Sequence, residues 1–522
     1  MWPLSANEIY HAITKSSKFE SEFDNIIIDG VCLDSRKAKP QHLFVAIEGT
    51  RFDAHSFLED CFAKGTKLAL VNKNSIYVEK LSTQNKNRCI EVDNVLDKFR
   101  DFAKFMRSRF SFPVIGIGGS NGKTTTKEML ASLLGGSQFK VTKTDKSENG
   151  FLGMAVTLCQ QDHNVKFPPN VLVLEIGIDD VGAMLQHVNL GQPDISLLTA
   201  LGPEHLENLI NWETAAKEEL ILFQNPKTKR IWQFEDDKIL QAFEENIKSQ
   251  KLNLTHAINT TNDFIVVEKN KFMNLSFDKN NLLTLVSHVV MWNLNKSFST
   301  ESEIQIEIIS NENIYNINGD LKFNVPLPGK HNAANFALAF ATAIMQNRSL
   351  NEIVSGWSHF ISPPMRSKVT TFTNGTILFD DSYNSSPMSL DAALQAIKNE
   401  DWKEKNKIII LGDMLDLGNE SKYWHEKIFN TLKDLQNAYL CLYGSAMYDC
   451  YKLLKETEDT LISKNHSRLF WRPATEEPSQ FLTDIDASFS DYVILVKGSR
   501  GMKLDRVVKS IEDNFSLVSS TR

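Results

Sequence analysis

The stretch Gly116-Ile117-Gly118-Gly119-Ser120-Asn121-Gly122-Lys123-Thr124-Thr125 holds residue types suited to binding phosphate. Anionic oxygens are gripped by converging backbone N–H groups, and glycine lets the backbone approach with no Cβ in the way. An apolar run, Val114-Ile115-Gly116-Ile117, leads into the loop, and a helical pattern from about Lys123 to Leu134 leads out of it. The N–H groups and dipole at that helix start favour an anion. Lys123 adds a point charge for the outer phosphates and Thr124 a hydroxyl for Mg²⁺. The spacing departs from G-x-x-x-x-G-K-[ST], because position 117 is Ile and a glycine falls one residue early. The loop reads as a nucleotide site; a tight strand-to-helix turn with a solvated lysine is the alternative.

Three further residues could contribute. In an open α/β sheet, ligands collect at the carboxyl ends of strands. Glu175 sits at the end of the apolar run Val171–Ile176, and His205 follows the run Ile195–Ala200. A carboxylate suits Mg²⁺, whereas histidine is a less usual partner and, taken alone, is more often a structural residue. Lys217 lies in a helical stretch with Glu213 four residues before it, the favourable order for an i,i+4 pair. Periodicity alone makes Lys217 a helix-surface residue.

The elements that must position these residues fall into three segments. In the first, short apolar runs at His42–Ile47, Lys67–Val71 and Cys89–Val92 alternate with helical stretches such as Ser56–Lys64. Pro113 opens the second, where strands alternate with helices as in a mostly parallel sheet. Residues 245–320 are rich in Asn, Lys and Ser, with alternation at Ile304-Gln305-Ile306-Glu307-Ile308, and read as a β-rich or loop-rich elaboration. After Pro363-Pro364 come the runs Thr376–Phe379, Lys407–Leu411, Ala438–Tyr443 and Tyr492–Val496, with helical patterns between them. The expectation is an α/β chain of three domains: a small α/β unit over 1–112, a P-loop ATPase-like domain with a mostly parallel sheet over 113–362, and a Rossmann-like doubly wound domain over 363–522.

Composition narrows the functions. The 522 residues carry 57 Lys and Arg against 65 Asp and Glu, a net charge of −8. Such a chain is a poor generic binder of nucleic acid or anionic membranes, so any phosphate is held in a local pocket. No apolar run approaches the ~20 residues of a membrane span. The start, Met1-Trp2-Pro3-Leu4-Ser5, lacks the basic and apolar regions of a signal peptide. Six scattered cysteines with no CxxC pair make neither a disulfide framework nor a zinc site. A cytoplasmic, reduced protein is expected.

Taken together, the motifs resemble those of the Mur ligases, the ATP-dependent amide-forming enzymes of peptidoglycan precursor synthesis. The resemblance spans nearly the whole chain. It rests on Asp34-Ser35-Arg36, the loop Gly119–Thr125, Glu175, Gly202–His205 and Ala216-Lys217-Glu218-Glu219. It continues through Pro328-Gly329-Lys330-His331-Asn332-Ala333-Ala334-Asn335, Met365-Arg366, Asp380-Asp381-Ser382-Tyr383-Asn384-Ser385-Ser386-Pro387, Leu411–Gly418 and Val496-Lys497-Gly498-Ser499-Arg500. Within the family, the Asp-Ser-Tyr-Asn-x-x-Pro and Gly-Asp-Met-Leu-x-Leu-Gly stretches resemble the branch that adds D-alanyl-D-alanine to UDP-N-acetylmuramoyl-tripeptide. The Asp-Asn-Pro-Arg type of motif usual in the diaminopimelate-adding branch is not found here. The D-glutamate-adding branch lacks this kind of N-terminal domain, and folylpolyglutamate synthases lack the Asp-Ser-Arg domain.

The resemblance implies roles. Gly119, Ser120, Asn121, Gly122, Lys123, Thr124 and Thr125 would hold ATP, with Asn332 and Asn335 near adenine and Arg366 and Asp381 reaching the phosphates and ribose. Thr124, Glu175, His205 and Lys217 would bind two Mg²⁺ ions, Lys217 as a carbamate. Lys123, His205 and Lys217 would be the catalytic set. Asp34, Ser35 and Arg36 would hold the UDP-sugar end of the tripeptide substrate, and Lys497, Ser499 and Arg500 the incoming D-alanyl-D-alanine. A monomer with small-molecule substrates and no nucleic-acid partner is implied. There are departures: Ser147-Glu148-Asn149-Gly150 keeps one asparagine of a usual Asn-x-Asn-Asn, Gln41-His42 replaces Gly-Asp, and Ala54 replaces a glycine. Two rivals stay open, a related ligase with another acceptor and a nucleotide-binding module that has lost catalysis. Lys123, Thr124, Glu175, His205 and Lys217 together speak against the second.

Overall fold

A computed structural model of the chain describes residues 2–16, 19, 21–49, 52–135, 139–160, 170–224, 228–234, 264–268, 288–297, 302–310, 321–346, 348–398, 402, 404–435, 437–461, 469–485 and 490–515. They form two compact units: residues 1–116, 135–176 and 185–195 make the first, and 117–134, 177–184 and 196–522 the second.

In the first unit, β1 (Leu4–Ser5) pairs antiparallel with β2 (Ile27–Ile28). It runs into α1 (Ala6–Thr14), whose start is fixed by a capping box between Ser5 and Glu8. A parallel sheet follows in the order β3 (Gly30–Cys32), β4 (His42–Val45), β5 (Leu68–Asn72) and β6 (Cys89–Val92). The apolar runs anticipated β4, β5 and β6. β3 is three residues long, too short for any alternation to register. α2 (Val95–Ser108) is capped by the Asn94 side chain and buries Phe99, Phe102, Ala103 and Met106 along one stripe.

The boundary between the units falls inside β7 (Val114–Gly118). In the first unit the order is β7, then β9 (Val171–Glu175), then β8 (Val141–Lys143), with β8 and β9 parallel. All five residues of β9 are buried, which explains a continuous apolar run without alternation. In the second unit the order from β7 outward is β10 (Ile195–Leu198), β11 (Lys229–Phe234), β12 (Phe264–Glu268), β13 (His288–Ser297), β14 (Ser302–Ser310) and β15 (Leu321–Val325). β11, β12 and β13 are parallel, and β14 and β15 return antiparallel. Only four residues separate β13 from β14, which is far too few for a parallel crossover. The expected elaboration over 245–320 thus contributes β12, β13 and β14; the rest of that stretch lies outside the described residues.

Two helices fix the loop that follows β7. α3 (Lys123–Leu134) buries Met129, Leu130, Leu133 and Leu134. It packs against α5 (Lys330–Met345), where every residue from Asn332 to Met345 is buried. Between them in sequence lies α4 (Trp212–Leu220), started by the Asn211 side chain accepting from Thr214 N–H at 2.9 Å. Phe336 and Phe340 of α5 meet the rings of Phe323 and Trp357 in tilted and edge-on contacts with centroids 4.6–5.3 Å apart.

The C-terminal sheet has the order β16 (Lys368–Thr371), β17 (Ile377–Asp381), β21 (Tyr492–Lys497), β18 (Asn406–Gly412), β19 (Ala438–Tyr443) and β20 (Leu469–Arg472). It is parallel except at β16. The five-residue turn between β16 and β17, closed by Phe372 and Thr376, forces a hairpin. The doubly wound expectation holds, with this antiparallel edge strand added. The carboxyl ends of β17, β18 and β21 converge where the strand order reverses, the place such folds use for binding.

Candidate active site

The loop after β7 is shaped by two glycines in backbone conformations that other residues rarely adopt. Gly119 lies at φ +115°, and a Cβ there would meet Thr199 Oγ1 at 2.3 Å. Gly122 lies at φ +87°, where a Cβ would meet Asn335 Oδ1 at 2.5 Å. A Gly119→Ala variant should therefore be less stable by about 1–3 kcal/mol from overpacking, plus the backbone penalty. A urea midpoint equal to wild type would refute this.

The loop is braced from several sides. Ser120 N–H donates to Ala200 O at 2.8 Å, and Ser120 Oγ donates to Gly202 O at 2.9 Å. Thr126 N–H closes the first helical turn onto Gly122 O at 2.8 Å. Lys123 bends back on its own loop, with Nζ 2.5 Å from Gly119 O, 3.2 Å from Ser120 O and 3.8 Å from a Glu204 oxygen. Thr124 and Thr125 are both buried at the helix start. The loop thus runs from the end of β7 into the start of α3, with Lys123 and the two threonines at that helix start.

His205 follows β10 in a left-handed backbone conformation, φ +53°. Its ring stands 3.7 Å from Glu204 and 3.6 Å from Asp416. Asp416 belongs to the loop after β18, and its backbone carbonyl accepts from Glu207 N–H at 3.1 Å. Lys217 is exposed on α4. Glu175, in the first unit, ends β9 buried, with its N–H donating to Thr144 Oγ1 at 3.0 Å and Asn149 Nδ2 donating to Oε1 at 3.0 Å. Asn149 is the one asparagine kept of the expected run. Among the described residues no three His, Cys, Asp or Glu side chains gather into a preformed cage. Mg²⁺ typically uses one or two carboxylates with substrate phosphates and waters, so it needs no such cage.

The C-terminal sheet brings a second group to the loop. Ser386 caps α6 (Pro387–Ile397), accepting from Ser389 N–H, and its Oγ donates to Asn121 Oδ1 at 2.9 Å. Asp381 ends β17 mostly covered, held between Lys497 Nζ at 2.6 Å and Ser367 N–H at 2.8 Å. Burial pushes its carboxyl up, yet Lys497, the Ser367 N–H and His331 together hold it below the ordinary range. Burial likewise drives the His331 ring down to about 4, although Asp381 opposes it, so the ring is neutral at pH 7. The Tyr383 ring lies under the Arg366 guanidinium at 4.0 Å, with Arg500 at 6.0 Å.

Some anticipated residues are placed differently from their expected roles. Asn332 is 2% exposed and donates its amide to Pro328 O at 2.7 Å, which ties down the start of α5, while Asn335 packs on Gly122. Lys497 is 1% exposed and committed to Asp381 and Asn384 O. Ser499 Oγ accepts Leu415 N–H at 2.8 Å. Of those three C-terminal residues, Arg500 is the exposed one. Asp34 and Arg36 form a bidentate pair on the surface of the first unit; the guanidinium's hydrogen bonds lower the Asp34 carboxyl to about 2. Glu204, Glu219, His331, Ser386 and Asp416 were given no role from the sequence. All five lay inside motifs already noticed, so position was the only signal for them.

Comparison with known proteins follows from this geometry. Residues 117–343 match the Mur ligase middle domain and residues 365–500 the Mur ligase glutamate ligase domain, together more than two thirds of the chain. The UDP-N-acetylmuramoyl-tripeptide–D-alanyl-D-alanine ligase of Bacillus subtilis (strain 168) is 26% identical over 500 residues, 96% of each chain. The enzyme of the same name from Escherichia coli (strain K12) is 24% identical, covering 94% of this chain and 95% of its own. Among solved structures, MurF from Acinetobacter baumannii superposes with a TM-score of 0.76 at 20% identity, over 98% of this chain and 99% of that one. MurF ligase from Thermotoga maritima, in complex with ADP, gives 0.70 at 19% identity, over 93% and 97%. No helix among the described residues is long and apolar enough to cross a membrane.

Proposed function

The chain belongs to the Mur ligase family, and on that premise we infer that it is the ATP-dependent ligase joining D-alanyl-D-alanine to UDP-N-acetylmuramoyl-tripeptide. The observation that carries the branch is the end-to-end match to curated ligases of that name, first third included. We assign residues 1–112 to the UDP-sugar, 113–362 to ATP and 363–522 to the dipeptide, in a cytoplasmic monomer.

A carboxylate repels an amine nucleophile and offers no leaving group. Transfer of the γ-phosphoryl of ATP to the tripeptide's terminal carboxylate gives an acyl phosphate and releases ADP; the dipeptide amine attacks its carbonyl carbon, and phosphate departs as the amine loses a proton and the amide forms. Lys123 leaves its loop carbonyls to neutralise charge accumulating on the transferred group. The N–H groups at the start of α3 orient the phosphates. Thr124, Glu175, His205 and Lys217, the last as a carbamate, would hold Mg²⁺, which when bound supplies charge neutralisation between phosphate and carboxylate. Asn335 and Asp381 flank the nucleotide, and Arg366, stacked on Tyr383, faces the phosphates. Arg500 contacts the dipeptide, while Lys497 and Ser499 hold the loops around it. Asp34, Ser35 and Arg36 meet the UDP-sugar.

The test is phosphate release with ATP, Mg²⁺ and the tripeptide nucleotide, with and without D-alanyl-D-alanine. Release that requires the dipeptide, with a product heavier by one dipeptide less water, is the expected result. Release supported instead by a free amino acid would move the chain to another branch.

A further inference from the structure

We propose that Glu219 is a positioning residue for phosphoryl transfer, which clamps the phosphate-binding loop to the helix that carries Lys217. The proposal deepens the functional reading above and rests on it. Glu219 is 2% exposed, and its Oε2 accepts the Gly119 N–H at 2.7 Å. Two residues apart on a helix of 3.6 per turn, Lys217 and Glu219 point to nearly opposite faces. The exposed side of α4 therefore offers Lys217 to ligands, while its buried side grips the loop. One rigid element thereby sets the distance between the two groups.

The contact also decides which N–H groups meet phosphate. The Gly119 N–H is taken by Glu219, and those of Ser120 and Asn121 point to Ala200 O at 2.8 and 3.5 Å. Phosphate recognition then falls to the N–H groups beyond them, where the loop becomes α3. The Gly119 residue is held at both ends, its N–H by Glu219 and its carbonyl by Lys123. When Lys123 turns to phosphate, the carbonyl loses its partner and the Glu219 bond keeps the loop in shape. Space enforces the fit, since a Cβ on Gly118 would stand 3.1 Å from the same Glu219 oxygen. A buried carboxylate is a costly way to fill a core position, and a merely structural site would be better served by an apolar residue.

The experiment compares Glu219→Met, which keeps the volume and removes the acceptor, with Glu219→Gln, which keeps an acceptor oxygen. Mg-ADP affinity is measured by calorimetry, and kcat and the KM for each substrate by phosphate release. Losing this buried hydrogen bond should weaken ADP binding and lower kcat by about tenfold or more in Glu219→Met, with the dipeptide KM unchanged. Glu219→Gln should stay within about threefold of wild type. Wild-type ADP affinity in folded Glu219→Met would overturn the proposal, as would a Gln variant as impaired as the Met one. If Glu219→Met does not fold, Glu219→Gln carries the test alone, and a loss beyond threefold overturns it. Wild-type protein that binds no ADP overturns the nucleotide site itself, which is distinguishable from all of these.

Discussion

Turnover in a Lys123→Ala variant is expected to fall by about 10²–10³-fold or more, the usual loss when one charge-stabilising donor is removed from a transition state. Lys123 is the residue at the mouth of the loop that can place a full positive charge on a phosphoryl group in transit. Its Nζ now rests on the carbonyls of Gly119 and Ser120, weak partners that a phosphate oxygen readily displaces. The loss should appear in kcat more than in the dipeptide KM, because the dipeptide is assigned to a different part of the chain. Thermal stability should change little, since the lost bonds end on backbone carbonyls at a partly exposed side chain. Phosphate release under saturating ATP and both acceptors is the measurement. A decrease below about tenfold would remove Lys123 from the reacting centre.

That prediction draws on a part of the site legible in the sequence. Gly119, Gly122 and Lys123 could be read because each is demanded by local geometry: a positive φ, a close approach, a helix start. The parallel strands were legible for a similar reason, as buried strands such as β9 are apolar throughout. β16 and β20 were missed. Both are edge strands, and the β20 side chains are only partly buried, so pairing imposed little pattern on their residues. Glu219 was missed for a different reason. On a helix with Glu213 and Glu218 nearby, it reads as one more surface carboxylate, and its burial depends on a loop a hundred residues earlier. Asn332 shows the converse. A motif placed it near adenine, yet the amide is spent on the turn before its own helix. Contacts between distant segments are what local periodicity does not encode.

Lys497 is where such a distant contact should have the largest energetic effect. The motif suggested a dipeptide ligand, but the ammonium is buried against Asp381, 116 residues away in sequence, and also donates to Asn384 O. Replacing it with methionine leaves the mostly covered Asp381 without its counter-charge, and breaking a buried pair in this way costs up to about 3–5 kcal/mol. A Lys497→Met variant should therefore lose that much stability in urea, a result a surface dipeptide ligand would not give. Adding Asp381→Asn should recover much of the loss, since the amide oxygen still accepts the Ser367 N–H and no lone charge remains. The same pair fixes an acid limit. With its folded pKa held below the unfolded value, Asp381 contributes stability that is fully present above about pH 4. That contribution is lost as the pH falls through the lower folded value, because the folded state resists a proton that the unfolded chain accepts. In Lys497→Met the lysine no longer holds the carboxyl down and burial prevails, so the folded pKa rises above the unfolded one. The sign then reverses, and the variant should become less stable as pH climbs from about 4 toward neutrality. Urea midpoints at several pH values for both proteins would check this. Parallel pH profiles would mean that Lys497 and Asp381 are not coupled, and the dipeptide role for Lys497 would return.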